Sequence, residues 1–313
     1  MKIFNPNSKY VVIMFDFSKL KEIANKIRQD IVRMTSTAQS GHPGGSLSAT
    51  EFLTYLYFHF LRHKPKDPEW EDRDRMIYSK SHATPLIYSA LARSGYFDPK
   101  ELSTFRQFKS RLQGHPSRIE GLPGIESSGG SLGQNLSVAV GIALGLRERI
   151  KHKLTSNLHI PRVYAVCGDG ELQEGNIWEG IMAAAHYKLN NLIAIIDKNK
   201  LQIDGNTKDV MDIDPLPEKF TAFNWHVLEM DGHDFTDIHK TFNKIKDFVT
   251  KPIAIIAHTI KGKGISFMED QAQWHGKPPN QEMAFKALKE LGGEETLDID
   301  SEQYQLMMTN EGR

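Results

Sequence analysis

Cysteine is nearly absent from the sequence, since Cys167 is the single one among 313 residues. One cysteine permits no internal disulfide bond, so no covalent cross-link stabilises the fold, and the cytosol is the default compartment. Cys167 ends the apolar run VYAVC (163–167), where we expect a buried strand residue.

Long apolar runs and net charge are absent as well. Unbroken apolar stretches are short, such as LIAII (192–196), whereas a membrane helix needs about 20 apolar residues. Basic and acidic residues are equal at 39 each, so the formal charge gives no attraction to nucleic acid or to a membrane surface. The first residues lack the apolar run of a signal peptide. We therefore expect a cytoplasmic protein without nucleic-acid or membrane partners.

Two hydrophobic patterns organise the chain. Helical periodicity occurs at 18–38, 49–62, 83–94, 131–150, 175–187 and 234–248. Short apolar runs, typical of strands, occur at 75–79, 162–168, 192–197, 225–230 and 253–260. Because these runs are continuously apolar and alternate with helices from residue 162 onward, they predict an α/β fold, a doubly wound, mostly parallel sheet with helices on both faces. The predicted domain covers residues 16–291, with an N-terminal extension at 1–15 and an acidic surface tail at 292–313.

The loop GDGELQEG (168–175) follows the second predicted strand and suggests a cation site. Two glycines allow a ligand to approach the main chain closely, and Asp169 lies between them. One helix and one strand separate Gly170 from Asn199, so a single crossover puts both strand ends at the same edge of a parallel sheet, where ligands bind. The side chains of Asp169 and Asn199, with a loop carbonyl such as that of Leu201, would suit Mg²⁺, with Ca²⁺ or Mn²⁺ as alternatives. The competing interpretation is a simple turn in which Asp169 caps a helix.

The spacing from GDG to Asn199 resembles the thiamine-diphosphate binding motif. The surrounding segments resemble the amino-terminal half of the transketolase family, in that family's order, over residues 20–280: SGHPGGSLS, SKSHATP, LQGHP, SLGQN, GDGELQEGNIWE, IDKNKLQIDG, WHVLEMDGHD and WHGKPPN. Two segments depart from the usual pattern, GSLGQN in place of GPLGQG, and KSH at 80–82 in place of NGH. The second would alter the groove near the substrate.

The resemblance implies a thiamine diphosphate site built from the strand-end loops. The metal would be bound by Asp169, Asn199 and the Leu201 carbonyl, and the diphosphate by the backbone of Gly168 and Gly170 with His82 and His275. Leu132 and Gly133 would lie along the aminopyrimidine ring, and Ile203 near the thiazolium ring.

The resemblance also implies catalytic histidines. His42, His115 and His275 would orient substrate hydroxyls and move protons, which suits imidazoles because they titrate near neutrality. Other histidines are expected on surfaces or in packing (His63, His152, His159, His186 and His239), and His233, in MDGHD, in a turn that starts a helix. The segment KGKGISF (261–267) is similar to a phosphate loop, but we favour a structural or interface role.

The family's cofactor-ionising glutamate belongs to a second domain, and residues 281–313 are too few for another doubly wound domain, which needs at least about 100 residues. The resemblance therefore implies a split transketolase, in which a partner subunit supplies the C-terminal, pyrimidine-binding domain, expected as an α2β2 assembly. Glu174 would hydrogen-bond to the partner's glutamate, or act only as an early helix carboxylate.

The implied reaction is transfer of a two-carbon ketol unit from a ketose phosphate to an aldose phosphate. The alternatives are a synthase that uses 2-oxo acids, a non-catalytic remnant with a cofactor-binding or regulatory role, and a piece of a longer chain.

Overall fold

A computed structural model of the chain describes residues 15–152, 160–246 and 250–307. Its α-helices are α1 (Ser18–Ala38), α2 (Pro43–Ser48), α3 (Thr50–Tyr55), α4 (Thr84–Arg93), α5 (Gln134–Lys151), α6 (Gly175–His186), α7 (Thr207–Met211), α8 (Leu216–Ala222), α9 (Phe235–Lys244) and α10 (Gln281–Glu290). Its strands are β1 (Arg75–Tyr78), β2 (Val163–Gly168), β3 (Leu192–Lys198), β4 (Leu201–Gln202), β5 (Gly205–Asn206), β6 (His226–Asp231) and β7 (Ile253–His258). The helix predicted at 49–62 is α3, continued by a π-helical turn, Leu56–Phe60.

Five of these strands form a parallel sheet in the order β1-β2-β3-β7-β6. The central strands are apolar along their whole length because each face of the sheet contacts a separate hydrophobic cluster. In β2, Tyr164 and Val166 pack on the side of α1, α4 and α9, whereas Ala165 and Cys167 pack on the side of α5 and α6. The predicted doubly wound α/β fold and the buried position of Cys167 are confirmed.

The sheet brings the three predicted loops to one edge. Gly168 is in register with Asp197, and Lys198 with His258, so the chain leaves β2, β3 and β7 side by side. The amide of Lys200 donates a hydrogen bond to Asp169 Oδ2 at 2.5 Å, which fixes the first two loops against each other.

The C-terminal segment differs from the surface tail expected from its composition. Over residues 292–307 it packs against the domain, and Tyr304 is buried in the cluster on the α1 side. The guanidinium of Arg93 is completely buried and donates to the carboxylate of Asp30 at 2.8 Å and to that of Asp300 at 2.5 Å, which draws the acidic segment inward. The predictions for residues 1–14, for 308–313 and for His159 lie outside the described residues.

No helix in the described ranges combines the length and apolar character needed to cross a membrane.

Candidate active site

A cavity opens at the edge of the sheet where β2, β3 and β7 end. Most of the predicted site residues line it: His82, Leu132, Gly168, Asp169, Gly170, Glu174, Asn199, Leu201, Ile203 and His275. Six further lining residues were not predicted: Gly45, Lys80, Glu171, Gln173, Gln202 and Lys261. His42, His115 and Gly133 lie just outside this set.

Asp169 is a buried carboxylate with two backbone donors. Its side chain is 2% exposed, and Oδ1 accepts a hydrogen bond from the Gly170 amide at 2.8 Å, while Oδ2 accepts one from the Lys200 amide. Burial, followed by the negative charge of Asp197, raises the pKa of Asp169 to about 6. A cation bound to this carboxylate would favour its charged form.

The donor set around Asp169 fits a hard divalent cation. Asn199 is buried beside it, with its side-chain oxygen directed at the Leu201 amide at 3.1 Å, and the Leu201 carbonyl lies on the same cavity wall. Among the described residues there is no group of three or more His, Cys, Asp or Glu side chains that could hold a metal. A site with one carboxylate and two neutral oxygens leaves coordination positions for water and phosphate, as Mg²⁺ usually requires.

The competing interpretation, in which Asp169 caps a helix, agrees only in part with the structure. Asp169 caps a 3-10 turn, Gly170–Gln173, rather than an α-helix, because α6 begins only at Gly175. The cap uses one carboxylate oxygen.

Lys80 brings a positive charge into the cavity that the sequence did not identify. Its ammonium donates to the Gly45 carbonyl at 2.7 Å and forms an ion pair with Asp197, whose side chain is fully buried. Asp197 also accepts hydrogen bonds from Ser48 Oγ at 2.6 Å and from the side-chain nitrogen of Asn199 at 3.1 Å. Burial alone would raise the pKa of Asp197, but the Lys80 charge and the hydrogen bonds from Lys80, Ser48 and Thr259 lower it. The visible signal was the departure KSH at 80–82.

Lys261 supplies a second ammonium group. It is 1% exposed, and Nζ lies 3.2 Å from the Leu201 carbonyl oxygen and 3.0 Å from His275 Nδ1. Burial, followed by the charge of Lys80, lowers its pKa to about 8. For KGKGISF the sequence favoured a structural or interface role. This role does not describe Lys261, whose side chain lines the cavity. Two ammonium groups beside a cation site suit a diphosphate.

The four singled-out histidines form one cluster. The ring centroid of His42 lies 5.2 Å from that of His82, 5.6 Å from that of His275 and 6.5 Å from that of His115. His42 therefore adjoins the cavity through His82 and His275, which line it, and His115 lies next to His42. A position outside the cavity suits contact with a substrate more than with a diphosphate.

Burial keeps His42, His82 and His275 neutral. Burial, followed by the charge of Arg106, lowers the pKa of His42 to about 4, and burial, followed by Lys261, lowers that of His275 to about 3. His82 shifts the same way, to well below its ordinary pKa. The Nδ1 atom of His42 is buried and has no hydrogen-bond partner among the described residues.

Glu171 and Gly133 set the shape of the cavity floor. One oxygen of Glu171 accepts from the Gly133 amide at 2.8 Å and the other from the Gly168 amide at 3.0 Å, and burial raises the pKa of this carboxyl. Gly133 has a φ of +82°, and a Cβ there would lie 2.2 Å from Asn176 Oδ1, so only glycine fits this turn. Sequence reasoning named Gly133 but missed Glu171, which binds both loops.

The mouth of the cavity is apolar and carries a carboxylate. Leu132 is 38% and Ile203 66% exposed, as suits contact with aromatic rings. Glu174 is exposed at the N-terminus of α6 and makes no capping hydrogen bond. The structure therefore leaves its carboxylate open to an external group.

A parallel α/β sheet whose C-terminal edge carries buried oxygen donors, two ammonium groups and neutral histidines suits a cofactor that contains a diphosphate. The family described as transketolase, thiamine diphosphate binding domain, matches residues 19–312. The chain therefore belongs to the transketolase family, as the motifs indicated, and is a transferase of the transketolase type.

Some relatives have nearly the same length as this chain, and others are much longer. The chain is 41% identical to one of the subunits of the apulose-4-phosphate transketolase of Phocaeicola vulgatus, over 86% of this chain and 92% of the relative. It is 40% identical to the 6-deoxy-6-sulfo-D-fructose transketolase subunit SqwG of a Clostridium species, over 87% and 96%. The transketolase structure from Campylobacter jejuni superposes with a TM-score of 0.84 at 35% identity, over 91% of this chain and 44% of that one. The chain thus spans less than half of that transketolase but nearly all of the two subunits.

Proposed function

We propose that this chain is the cofactor-binding subunit of a two-subunit transketolase, which transfers a two-carbon ketol unit from a ketose phosphate to an aldose phosphate. The observation that carries the proposal is a cavity with metal and diphosphate donors in a chain that matches 92% of the length of a relative named as one subunit of a transketolase.

In this proposal Mg²⁺ is held by Asp169, Asn199 and the Leu201 carbonyl. The backbone of Gly168 and Gly170, with His82, His275 and the ammonium groups of Lys80 and Lys261, would hold the diphosphate. Thiamine diphosphate, when bound, would supply the nucleophilic carbon that attacks the ketose carbonyl. Leu132 and Ile203 exclude water from its rings.

The histidines act on the sugar. Because burial keeps His42 and His275 neutral, each ring has one donor and one acceptor nitrogen. In His275 the acceptor is Nδ1, which faces the Lys261 ammonium, so Nε2 carries the proton and donates to a hydroxyl group. His115, on the outer side of His42, contacts hydroxyls further from the reacting carbon. Holding the sugar in a fixed orientation accounts for much of the expected rate enhancement.

A partner subunit would complete the site from the open side. Exposed apolar side chains lie at the cavity mouth (Leu132 and Ile203), at the end of α7 (Met211) and on α5 and α6 (Val138 and Met182), each at least 38% exposed. A pyrimidine-binding subunit would cover these side chains, and the exposed Glu174 would then contact its glutamate. We propose an α2β2 assembly on this basis.

The deciding experiment combines this chain with the product of the neighbouring open reading frame, Mg²⁺ and thiamine diphosphate. Ketol transfer from ketose phosphates to aldose phosphates is the expected result, and each of the two chains should be inactive without the other. Turnover with 2-oxo acids only would replace the proposal by a synthase. Cofactor binding without turnover, in the presence of a partner of pyrimidine-binding type, would indicate a non-catalytic role.

A further inference from the structure

The loop that follows β7, residues 259–264, carries Lys261 and is held from behind by contacts outside the cavity. The Ile260 amide donates to His233 Nε2 at 2.8 Å, and the Lys263 carbonyl accepts from Arg28 Nε at 3.0 Å. Both contacts flank Lys261 in sequence. They therefore fix the backbone from which its side chain enters the cavity.

The buried Arg28 and Glu51 and the half-buried His233 form a chain of polar groups that supports these two contacts. His233 Nδ1 lies 2.9 Å from Glu51 Oε2, and the other oxygen of Glu51 forms an ion pair with Arg28. Because the Ile260 amide can only donate, His233 Nε2 must accept, so the ring proton is on Nδ1 and is donated to Glu51. Arg28, Glu51 and His233 thus form one connected unit that fixes the ring of His233 in a single orientation.

The glycines of KGKG leave the loop little alternative conformation. Gly262 has a φ of +78°, and a Cβ there would lie 2.2 Å from the Met268 carbonyl oxygen. The Gly262 amide also donates to the Gly44 carbonyl at 3.0 Å. The loop is therefore a tight turn with Lys261 directed inward, towards Leu201 and His275.

We propose that His233 is a positioning residue for the Lys261 ammonium, acting through the Ile260 amide and supported by Glu51 and Arg28. The proposal rests on the proposed function in that Lys261 contacts the cofactor diphosphate. It assigns a role in the site to MDGHD and to KGKG, for which the sequence predicted only a turn that starts a helix and a structural or interface role. His233 itself lies outside the cavity, so it touches neither cofactor nor metal.

Two substitutions of His233 separate its two hydrogen bonds. In His233→Gln the side-chain oxygen reaches the place of Nε2 and can still accept from Ile260. In His233→Asn the amide reaches only the place of Nδ1, so it keeps the contact with Glu51 and loses the one with Ile260. We expect His233→Asn to weaken binding of thiamine diphosphate to the full chain, at fixed Mg²⁺, by about tenfold, the effect of one charge-assisted hydrogen bond. His233→Gln should remain within about threefold of wild type.

A double variant tests whether His233 acts through Lys261. Lys261→Met by itself should weaken binding by at least as much as His233→Asn, and adding His233→Asn to it should cause no further loss, because coupled residues are not additive. Additive losses, or equal losses for the Asn and Gln variants, would overturn the proposal. His258→Asn is the matched control, since His258 makes an exposed pair with Glu229 at 2.7 Å at the start of the same loop.

A crystal structure of the metal-free His233→Asn chain gives a readout that needs no cofactor. We expect the turn to shift and Lys261 Nζ to leave the Leu201 carbonyl, and an unchanged turn would refute the inference. Ketol transfer by the wild-type complex, measured separately, reports on the proposed function alone.

Discussion

Replacing Asp169 with alanine should separate cofactor binding from folding. The carboxylate is the one charged group in the proposed metal donor set, and its side chain is 2% exposed. A divalent cation near 4 Å from a carboxylate gains about 8 kcal/mol at an effective dielectric of 20, twice the value for a unit pair. If desolvation removes half of this energy, about 4 kcal/mol remains, which corresponds to a roughly 10³-fold loss of metal-dependent affinity.

The same substitution should leave the metal-free fold nearly as stable as before. Burial and Asp197 raise the pKa of Asp169 from 3.8 to about 6, so above pH 6 the charged carboxylate costs the folded state about 3 kcal/mol. Because the folded pKa is raised, this cost disappears as the pH falls below about 6. Alanine removes the cost, but also the hydrogen bonds to the Lys200 and Gly170 amides, at about 1 kcal/mol each. The two effects nearly cancel at pH 8.

Calorimetric titration of the chain with thiamine diphosphate, with Mg²⁺ and with EDTA, measures the first effect, and urea unfolding at pH 8 in EDTA measures the second. Asp204→Asn is the matched control, because Asp204 is an exposed carboxylate in the loop of Asn199 and Leu201. If Asp169→Ala binds thiamine diphosphate with the same metal-dependent affinity as the wild type, the metal assignment is refuted. Loss of more than about 3 kcal/mol of unfolding free energy would show that Asp169 is chiefly structural.

Three further predictions concern other parts of the chain. His115→Ala should keep cofactor affinity and lower the turnover number of the assembled enzyme, because the ring lies beyond His42; loss of affinity in calorimetry would show that it is misplaced. His42 has a lowered pKa of about 4, so unfolding takes up a proton, and the unfolding free energy should fall as the pH drops from about 6.5 towards 4. In His42→Asn this dependence of the unfolding free energy on pH, measured by urea unfolding, should be weaker. An equal dependence would contradict the burial argument. Asp30→Asn leaves Arg93 buried with a broken pair and should reduce the unfolding free energy by about 3–5 kcal/mol. Breaking the exposed pair of Lys19 should change the unfolding free energy by less than about 1 kcal/mol. Similar losses in the two variants would refute the distinction between buried and exposed ion pairs.

The sequence by itself determined the sheet and the position of the cofactor cavity. Continuous apolar runs identify strands covered on both faces, and one crossover between Gly170 and Asn199 makes the strands neighbours, so Asp169 and Asn199 had to meet at one edge. These features depend on hydrophobic periodicity and on short connections between strands. Both are visible in short stretches of the sequence.

Only the tertiary structure decided which charges surround that cavity. Lys80 pairs with Asp197 across 117 positions, so no local pattern indicates this pair. The same holds away from the cavity, where Arg93 pairs with Asp300 across 207 positions. A lysine in a glycine-rich loop is equally compatible with solvent and with burial, and the path of the loop beside His233 is what directs Lys261 inward. Burial and charge pairing depend on which distant segments pack together, and that is settled only when the whole domain has folded.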